Sequence, residues 1–180
     1  MQRADPGHDA SGLSDDDAIR AALDVGAKLW RHIDAGPYLR ASERIPAWLD
    51  AVAFTRHPFV ARARAILGRV DIRDDTLVHG DLHHHNLLRH GDRWLAIDPK
   101  PLLAEPEWDV VTLLWNPMTS TPSLERTAKR IALIAAAGLN EQRIRDWAVV
   151  RGTYLGLPLD PDERETDSPQ LTVVGQLLGA

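Results

Sequence analysis

His79-Gly80-Asp81-Leu82-His83-His84-His85-Asn86, with Trp94-Leu95-Ala96-Ile97-Asp98-Pro99-Lys100 shortly after it, is the stretch on which the reading of this 180-residue chain turns. The β-prone run Thr76-Leu77-Val78 leads into it. Two further runs, Asn86 to Leu88 and Arg93 to Ile97, flank a His90-Gly91-Asp92 turn and predict a hairpin. Asp81 and Asn86 are five residues apart and Asp98 is twelve further on, at the end of a hairpin strand, so three oxygen-bearing side chains can return to one point. That pattern suits phosphoryl transfer. The chemistry needs a carboxylate to orient an attacking hydroxyl and accept its proton, and oxygen ligands to hold Mg2+ on nucleotide phosphates. Asp81 suits the first role, and Asn86 with Asp98 the second.

Outward from this stretch the period is helical. Ser14 with Asp17 three residues on reads as a capping box, and Ile19, Ala22, Leu23, Gly26, Leu29, Trp30 and Ile33 then recur until Gly36-Pro37 stops the pattern. A second helix is expected to begin near Pro46 with Trp48, Leu49 and Val52 inward, and a third to carry Val60, Ile66, Leu67 and Val70, with the break at Arg56-His57-Pro58. Helical spacing returns after Glu105-Pro106 and ends at Asn116-Pro117. Another helix runs from about Pro122 to Gly138, whose place suits a left-handed cap, and Asn140 can cap a last one carrying Ile144, Trp147, Ala148 and Tyr154. Residues 1–13 are polar and expected to be frayed, 14–157 form the folded unit, and 158–180 read as an acidic tail whose apolar Leu171 to Leu178 suggests a terminal helix.

Composition narrows the function classes. With 44% hydrophobic and 26% charged residues, one core is affordable and two ordinary domains are not. The absence of cysteine excludes disulfides, thiolate metal sites and a cysteine nucleophile. Nowhere do 18 apolar residues run together, and the start of the chain lacks signal-peptide character, so a cytoplasmic protein with no membrane partner is expected. The net charge of −5 is concentrated at the ends, with −4 in residues 1–17 and −4 in 160–167. The remaining +3 is spread over the body without a basic stripe, which argues against nucleic acid.

The stretch around residues 78–86, the Ile97-Asp98-Pro99-Lys100 segment, Glu105-Pro106-Glu107-Trp108-Asp109-Val110 and Leu114-Trp115-Asn116-Pro117 occur in this order and resemble the aminoglycoside phosphotransferase superfamily, above all its streptomycin 6-kinase and hydroxyurea kinase branch. The resemblance spans roughly residues 15 to 155 and is densest from 77 to 117. It implies an α+β, mainly helical fold like the C-terminal lobe of a protein kinase, in which a short β-hairpin carries the catalytic loop (79–86) and the metal site (86–98). It implies ATP and Mg2+ as cofactors, Asp81 as catalytic base, Asn86 and Asp98 as metal ligands, and His79 as support for the loop. By analogy with kinase folds, Asp109 accepts hydrogen bonds from loop amides. His83 stands where kinases often place a lysine facing the transferred phosphate, and Lys100 could reach nucleotide phosphates, although a solvated lysine is the commoner outcome. His85 and Pro101 occupy positions where this branch usually carries glycine. No Gly-x-Gly-x-x-Gly loop occurs and the lysines are Lys28, Lys100 and Lys129, so the resemblance covers the larger lobe without its nucleotide-covering partner.

Each of these features has a plainer explanation. Asp81 and Asn86 can make local turn bonds, and Asp98 can simply end a strand. Glu105 and Glu107 could offset the ammonium or guanidinium charge of an aminoglycoside, but acidic residues at a helix start are favoured by the helix dipole alone. Trp30, Trp48, Trp115 and Trp147 sit at or beside apolar helical positions, where core packing is commoner than stacking on a substrate. Three readings follow: the C-terminal lobe of an ATP-dependent kinase of an aminoglycoside or hydroxyurea-like small molecule, serving antibiotic inactivation, with weak or no turnover expected from the lobe by itself; a non-catalytic remnant that binds a small molecule, a complementing lobe or a second copy through exposed apolar surface; or a hydrolase whose His79, His83 and Asp81 or Asp98 hold a transition metal. The third is weakened because consecutive residues of an extended chain point to opposite faces, so His83, His84 and His85 cannot all aim at one ion.

Overall fold

A computed structural model describes residues 4–34, 36–118, 121–163 and 167–179. In chain order, strand β1 (Pro6–Asp9) precedes helix α1 (Asp15–Leu29), the short strands β2 (Arg31–His32) and β3 (Leu39–Arg40), and helices α2 (Ala41–Ala51) and α3 (Pro58–Leu67). Strands β4 (Thr76–Val78), β5 (Leu87–His90), β6 (Arg93–Ala96) and β7 (Leu102–Ala104) follow. Helices α4 (Pro106–Val110), α5 (Leu124–Ala136), α6 (Glu141–Gly156) and α7 (Pro169–Leu178) complete the described chain. It is α+β and mainly helical, as the sequence implies.

The strands form two small sheets. In the first, β4 pairs antiparallel with β2 and β7, and β7 pairs parallel with β3. Val78 stands opposite Leu102 and Thr76 opposite Ala104, so residues 79–101 leave the sheet and return beside the strand they left. In the second, β5 and β6 form the expected hairpin and β1 covers the other edge of β5.

The helices bury this sheet assembly. Ser14 caps α1 by accepting the Asp17 amide, and its hydroxyl donates to the Asp17 carboxylate at 2.7 Å. Asp15 then binds α5, taking Arg126 at 2.7 Å and Arg130 at 2.6 Å. Arg130 is 1% exposed and also donates to the carbonyls of Leu113 and Asn116, so one guanidinium ties the start of α1 to the turn after α4. Helix α6 runs through the centre and is buried over much of its circumference, from Ile144 and Trp147 to Arg151 and Thr153. Its Gly152 and Gly156 admit α7: a Cβ at Gly152 would lie 2.7 Å from Val174, and one at Gly156 2.7 Å from Leu171.

Three sequence expectations change. Residues 4–13 are not frayed: β1 pairs with β5, the Gly91 amide donates to the Asp5 carbonyl, and the Asp9 carboxylate meets the His85 ring at 2.8 Å. An exposed β5 edge supplies partners that polarity along the chain does not reveal. Helix α1 stops at Leu29 rather than Gly36, because Trp30 turns its indole to Asp109 and the next two residues pair with β4. Helix α2 starts at Ala41 and contains Pro46; the missing amide affects the carbonyl of Ser42, in a first turn already anchored by the Ser42 amide on Asp74. Within 158–180, α7 packs on α6 through Val173 and Val174; residues 164–166 and Ala180, and Met1 to Arg3 of the N-terminal tail, lie outside the described residues.

Replacing Arg130 by Met keeps the volume and removes the cation, leaving two buried carbonyls and part of the Asp15 carboxylate uncompensated. The expected loss is about 3 kcal/mol, read as a lower urea midpoint at unchanged slope.

Candidate active site

The loop after β4 is held from below by one carboxylate. Asp109 is fully buried in α4 and accepts the His79 amide at 3.0 Å, the Gly80 amide at 2.8 Å and the Trp30 indole at 3.0 Å. The His79 ring is fixed in one tautomer: Nε2–H donates to the Ile97 carbonyl and Nδ1 accepts the Asp81 amide. From the far end of the excursion, the Lys100 amide donates to the His79 carbonyl at 2.8 Å. Gly80 fits there because φ is +82° and a Cβ would stand 1.9 Å from the Lys100 carbonyl oxygen.

These contacts leave Asp81 in the lining of a cavity. Lys100 Nζ lies 2.6 Å from Oδ2, His83 Nε2 3.7 Å from Oδ1 and Arg151 Nη2 3.8 Å from Oδ1. Burial by itself would raise the Asp81 carboxyl, but His83, Lys100 and Arg151 outweigh it and hold the group well below the usual carboxylate range. Arg151, 5% exposed on α6, also donates to the carbonyls of Gly80 and Trp108 and lies over the Trp108 ring at 4.9 Å.

Asn86 and Asp98 stand on the two arms of one hairpin: the amide of Ile97, the residue before Asp98, donates to the Asn86 carbonyl at 3.0 Å. Asn86 Nδ2 donates to the Asp81 carbonyl at 2.8 Å, which leaves Oδ1 as its acceptor end. Asp98 is exposed, adopts φ +52° and has no hydrogen-bond or ion-pair partner among the described residues. Magnesium uses few protein ligands beside phosphate and water oxygens, and an amide oxygen with a free carboxylate on adjoining hairpin positions fits that demand. The backbone freedom that His85 and Pro101 lack is not used at either position, since neither has positive φ; the left-handed residue is Asp98.

Other sequence candidates go elsewhere. Glu105 is 2% exposed, held by Arg143 at 2.6 Å and by the Trp147 indole, so it serves the core rather than a substrate. Glu107 accepts the Asn140 amide at the start of α6. The three consecutive histidines separate: His83 faces Asp81, His85 faces Asp9, and His84 points into the core with both ring nitrogens unpaired among the described residues. No group of three His, Asp or Glu side chains suited to a metal comes together among the described residues.

The cavity beside Asp81 has a volume of about 680 Å³. Its walls are Trp48, Trp108 and Tyr154, with Leu102, Leu155 and Leu157. Trp48 stacks on Trp108 at 6.1 Å and meets Tyr154 at 5.2 Å. Sequence reasoning took Trp48 for core packing and missed Arg151 and Tyr154. Arg151, set in the weakly polar second half of α6 between Val150 and Gly152, was the available signal.

Comparison with known proteins gives the family. The family model described as aminoglycoside/hydroxyurea antibiotic resistance kinase matches residues 6–157. The chain is 31% identical over 169 residues to streptomycin 3''-kinase of Klebsiella pneumoniae, covering 83% of this chain and 61% of that one. It is 27% identical over 167 residues to streptomycin 6-kinase of Streptomyces griseus (84% and 54% covered) and 31% over 173 residues to hydroxyurea phosphotransferase of Kitasatospora aureofaciens (84% and 47%). The chain thus spans about half the length of the curated relatives it matches. No solved structure matches it significantly.

Burial and the nearby Arg130 charge push the His84 imidazole down to about 3. The unfolded chain takes up this proton near the ordinary histidine value of about 6.5, so the native state loses stability as pH falls from there toward 3. Linkage gives about 2 kcal/mol lost between pH 7.5 and 5 from this group. In His84→Leu, of similar volume, urea titrations at the two pH values should show that part of the difference removed.

Proposed function

Because the chain belongs to the aminoglycoside/hydroxyurea antibiotic resistance kinase family, we propose that its loop 79–86 and hairpin 86–98 serve ATP-dependent phosphorylation of a small-molecule hydroxyl, inactivating an antibiotic in the cytoplasm. The observation that carries this reading is Asp81, held in the lining of a cavity by a clamped loop, with Asn86 and Asp98 on the adjoining hairpin.

In this reading Asp81 accepts a hydrogen bond from the acceptor hydroxyl and takes its proton as the oxygen bonds to phosphorus. A carboxylate held so acidic is a weak base, so its main contribution is to orient the hydroxyl, which suits a transition state with late proton loss. Lys100 lies against Oδ2, yet its side chain is 66% exposed and free to swing. Moving its ammonium to the nucleotide phosphates would release Oδ2 for the acceptor. Asn86 Oδ1 and the Asp98 carboxylate would hold magnesium, which when bound neutralises charge on the phosphates. His83 can donate to the transferred group from 3.7 Å beyond Asp81. His79 and Asp109 position the loop and touch no reactant.

Streptomycin and hydroxyurea, the compounds in the relatives' names, are the first acceptors to try. Calorimetry should give ATP binding that requires magnesium, and this magnesium-dependent binding should be lost in Asp98→Ala. Transfer of the γ-phosphoryl group should fall about 10²- to 10⁴-fold in Asp81→Asn. ATP binding indifferent to magnesium and to Asp98, or unchanged transfer without the Asp81 carboxylate, would overturn the assignment.

A further inference from the structure

Gly80 and Asp81 are held at every backbone polar group. Asp109 takes the Gly80 amide, the His79 ring takes the Asp81 amide, and Asn86 Nδ2 donates to the Asp81 carbonyl. The remaining group, the Gly80 carbonyl, accepts from Arg151 Nη2. The first three holds come from the excursion itself or from α4 directly after it, whereas the fourth reaches across from α6, 71 residues away. Arg151 is well placed to provide it. Its Nη1 donates to the Trp108 carbonyl at 3.0 Å, its guanidinium lies over the Trp108 ring at 4.9 Å, and the Tyr154 phenol neighbours it. Nε has no hydrogen-bond partner among the described residues, so the two Nη groups set the plane of the fork.

The same Nη2 faces the side chain that follows this carbonyl. It lies 3.8 Å from Asp81 Oδ1, and Asp81 is the carboxylate within ion-pair distance of Arg151 among the described residues. A buried cation without an anion beside it is costly, so the two groups depend on each other. The two Asp81 oxygens thereby differ. Oδ1 looks toward Arg151 and His83, both on largely buried side chains, and Oδ2 looks toward the exposed Lys100. The guanidinium keeps its charge at any working pH and is pinned by two carbonyls; the imidazole is charged only when protonated, and the ammonium rides on a flexible stem. The last torsion of an aspartate is broad and two-fold, so fixing the backbone does not decide which oxygen points where. A fixed charge on one side does.

We infer that Arg151 is a positioning residue of the candidate base: from α6 it holds the Gly80 carbonyl and the Oδ1 side of Asp81, which leaves Oδ2 as the oxygen offered to the acceptor hydroxyl once Lys100 swings away. The inference rests on the kinase reading for the acceptor, and on the contacts alone for the hold.

The hold is read from a double-mutant cycle of urea unfolding on the 180-residue chain, with Asp81→Asn crossed against Arg151→Met. Asp81→Asn leaves the buried guanidinium without its anion, so its effect on the unfolding equilibrium constant should be about fivefold or more larger with Arg151 present than in Arg151→Met. A residue that only braced the Gly80 and Trp108 carbonyls would give additive effects. Crossing Asp81→Asn against Arg151→Lys, which keeps a charge near Oδ1, should bring the coupling down to about twofold or less. If Arg151→Met does not fold, Arg151→Gln, which can still donate to the Gly80 carbonyl, completes the cycle. In phosphoryl transfer to streptomycin, Arg151→Met should lower kcat on the order of 10- to 100-fold and leave KM for ATP within about threefold. Additive unfolding effects, coupling as large against Arg151→Lys as against Arg151→Met, or an unchanged kcat would overturn the inference. Magnesium-dependent ATP binding is measured on the same samples. Its absence beside intact coupling would sink the kinase reading and leave the hold of Arg151 on Asp81 standing.

Discussion

The pairing of β4 with β7 turns residues 79–101 into a closed excursion, and the candidate site is built on that closure. Two strands of three residues each are a weak foundation by themselves. The closure is extended one step by the Lys100 amide on the His79 carbonyl and locked from beneath by Asp109, which takes both amides at the turn. Because the two ends of the excursion are fixed together, Asp81 near its start and Lys100 near its end meet without help from any other element. The hairpin inside the excursion inherits the same anchoring through the His79 ring on the Ile97 carbonyl.

Electrostatics then decides what the loop can do. Asp81 is surrounded by Lys100, Arg151 and His83, so it stays ionised across the physiological range and is a poor proton acceptor until a neighbour moves. Lys100 is the neighbour able to move, being on an exposed stem, whereas Arg151 is fixed by two carbonyls and the Trp108 face. Beside these charged groups, Trp48 of α2, Trp108 of α4 and Tyr154 of α6 supply the aromatic walls of the cavity.

Much of this was legible along the chain, and the exceptions share a cause. Thr76 to Val78, the turn at Gly91 and the caps at Ser14 and Asn140 stand as local chemistry dictates, since a strand run, a left-handed glycine and a capping side chain act on their own neighbours. The strands β1, β2, β3 and β7 were invisible because each has four residues or fewer and owes its shape to a partner far away in sequence. Asp109 was placed by resemblance, and only the fold shows the two amides it grips. Glu105 and Glu107 resembled ligands for a cation until Arg143, Trp147 and Asn140 reached them across more than thirty residues. Arg151, Trp48 and Tyr154 were hidden for a similar reason: a helical period tells which face is buried, but not that part of the buried face lines a cavity.

The central claim is that Asn86 and Asp98 present their oxygens to one divalent ion beside Asp81. Manganese is a paramagnetic substitute for magnesium with the same preference for oxygen. Titrated in substoichiometric amounts into the ¹⁵N-labelled chain with ATP, it should broaden the amide signals of residues 81, 86 and 98 first and lose that selectivity in Asp98→Ala. Broadening centred on His83 to His85 and Asp9, with 98 unaffected, would contradict the account.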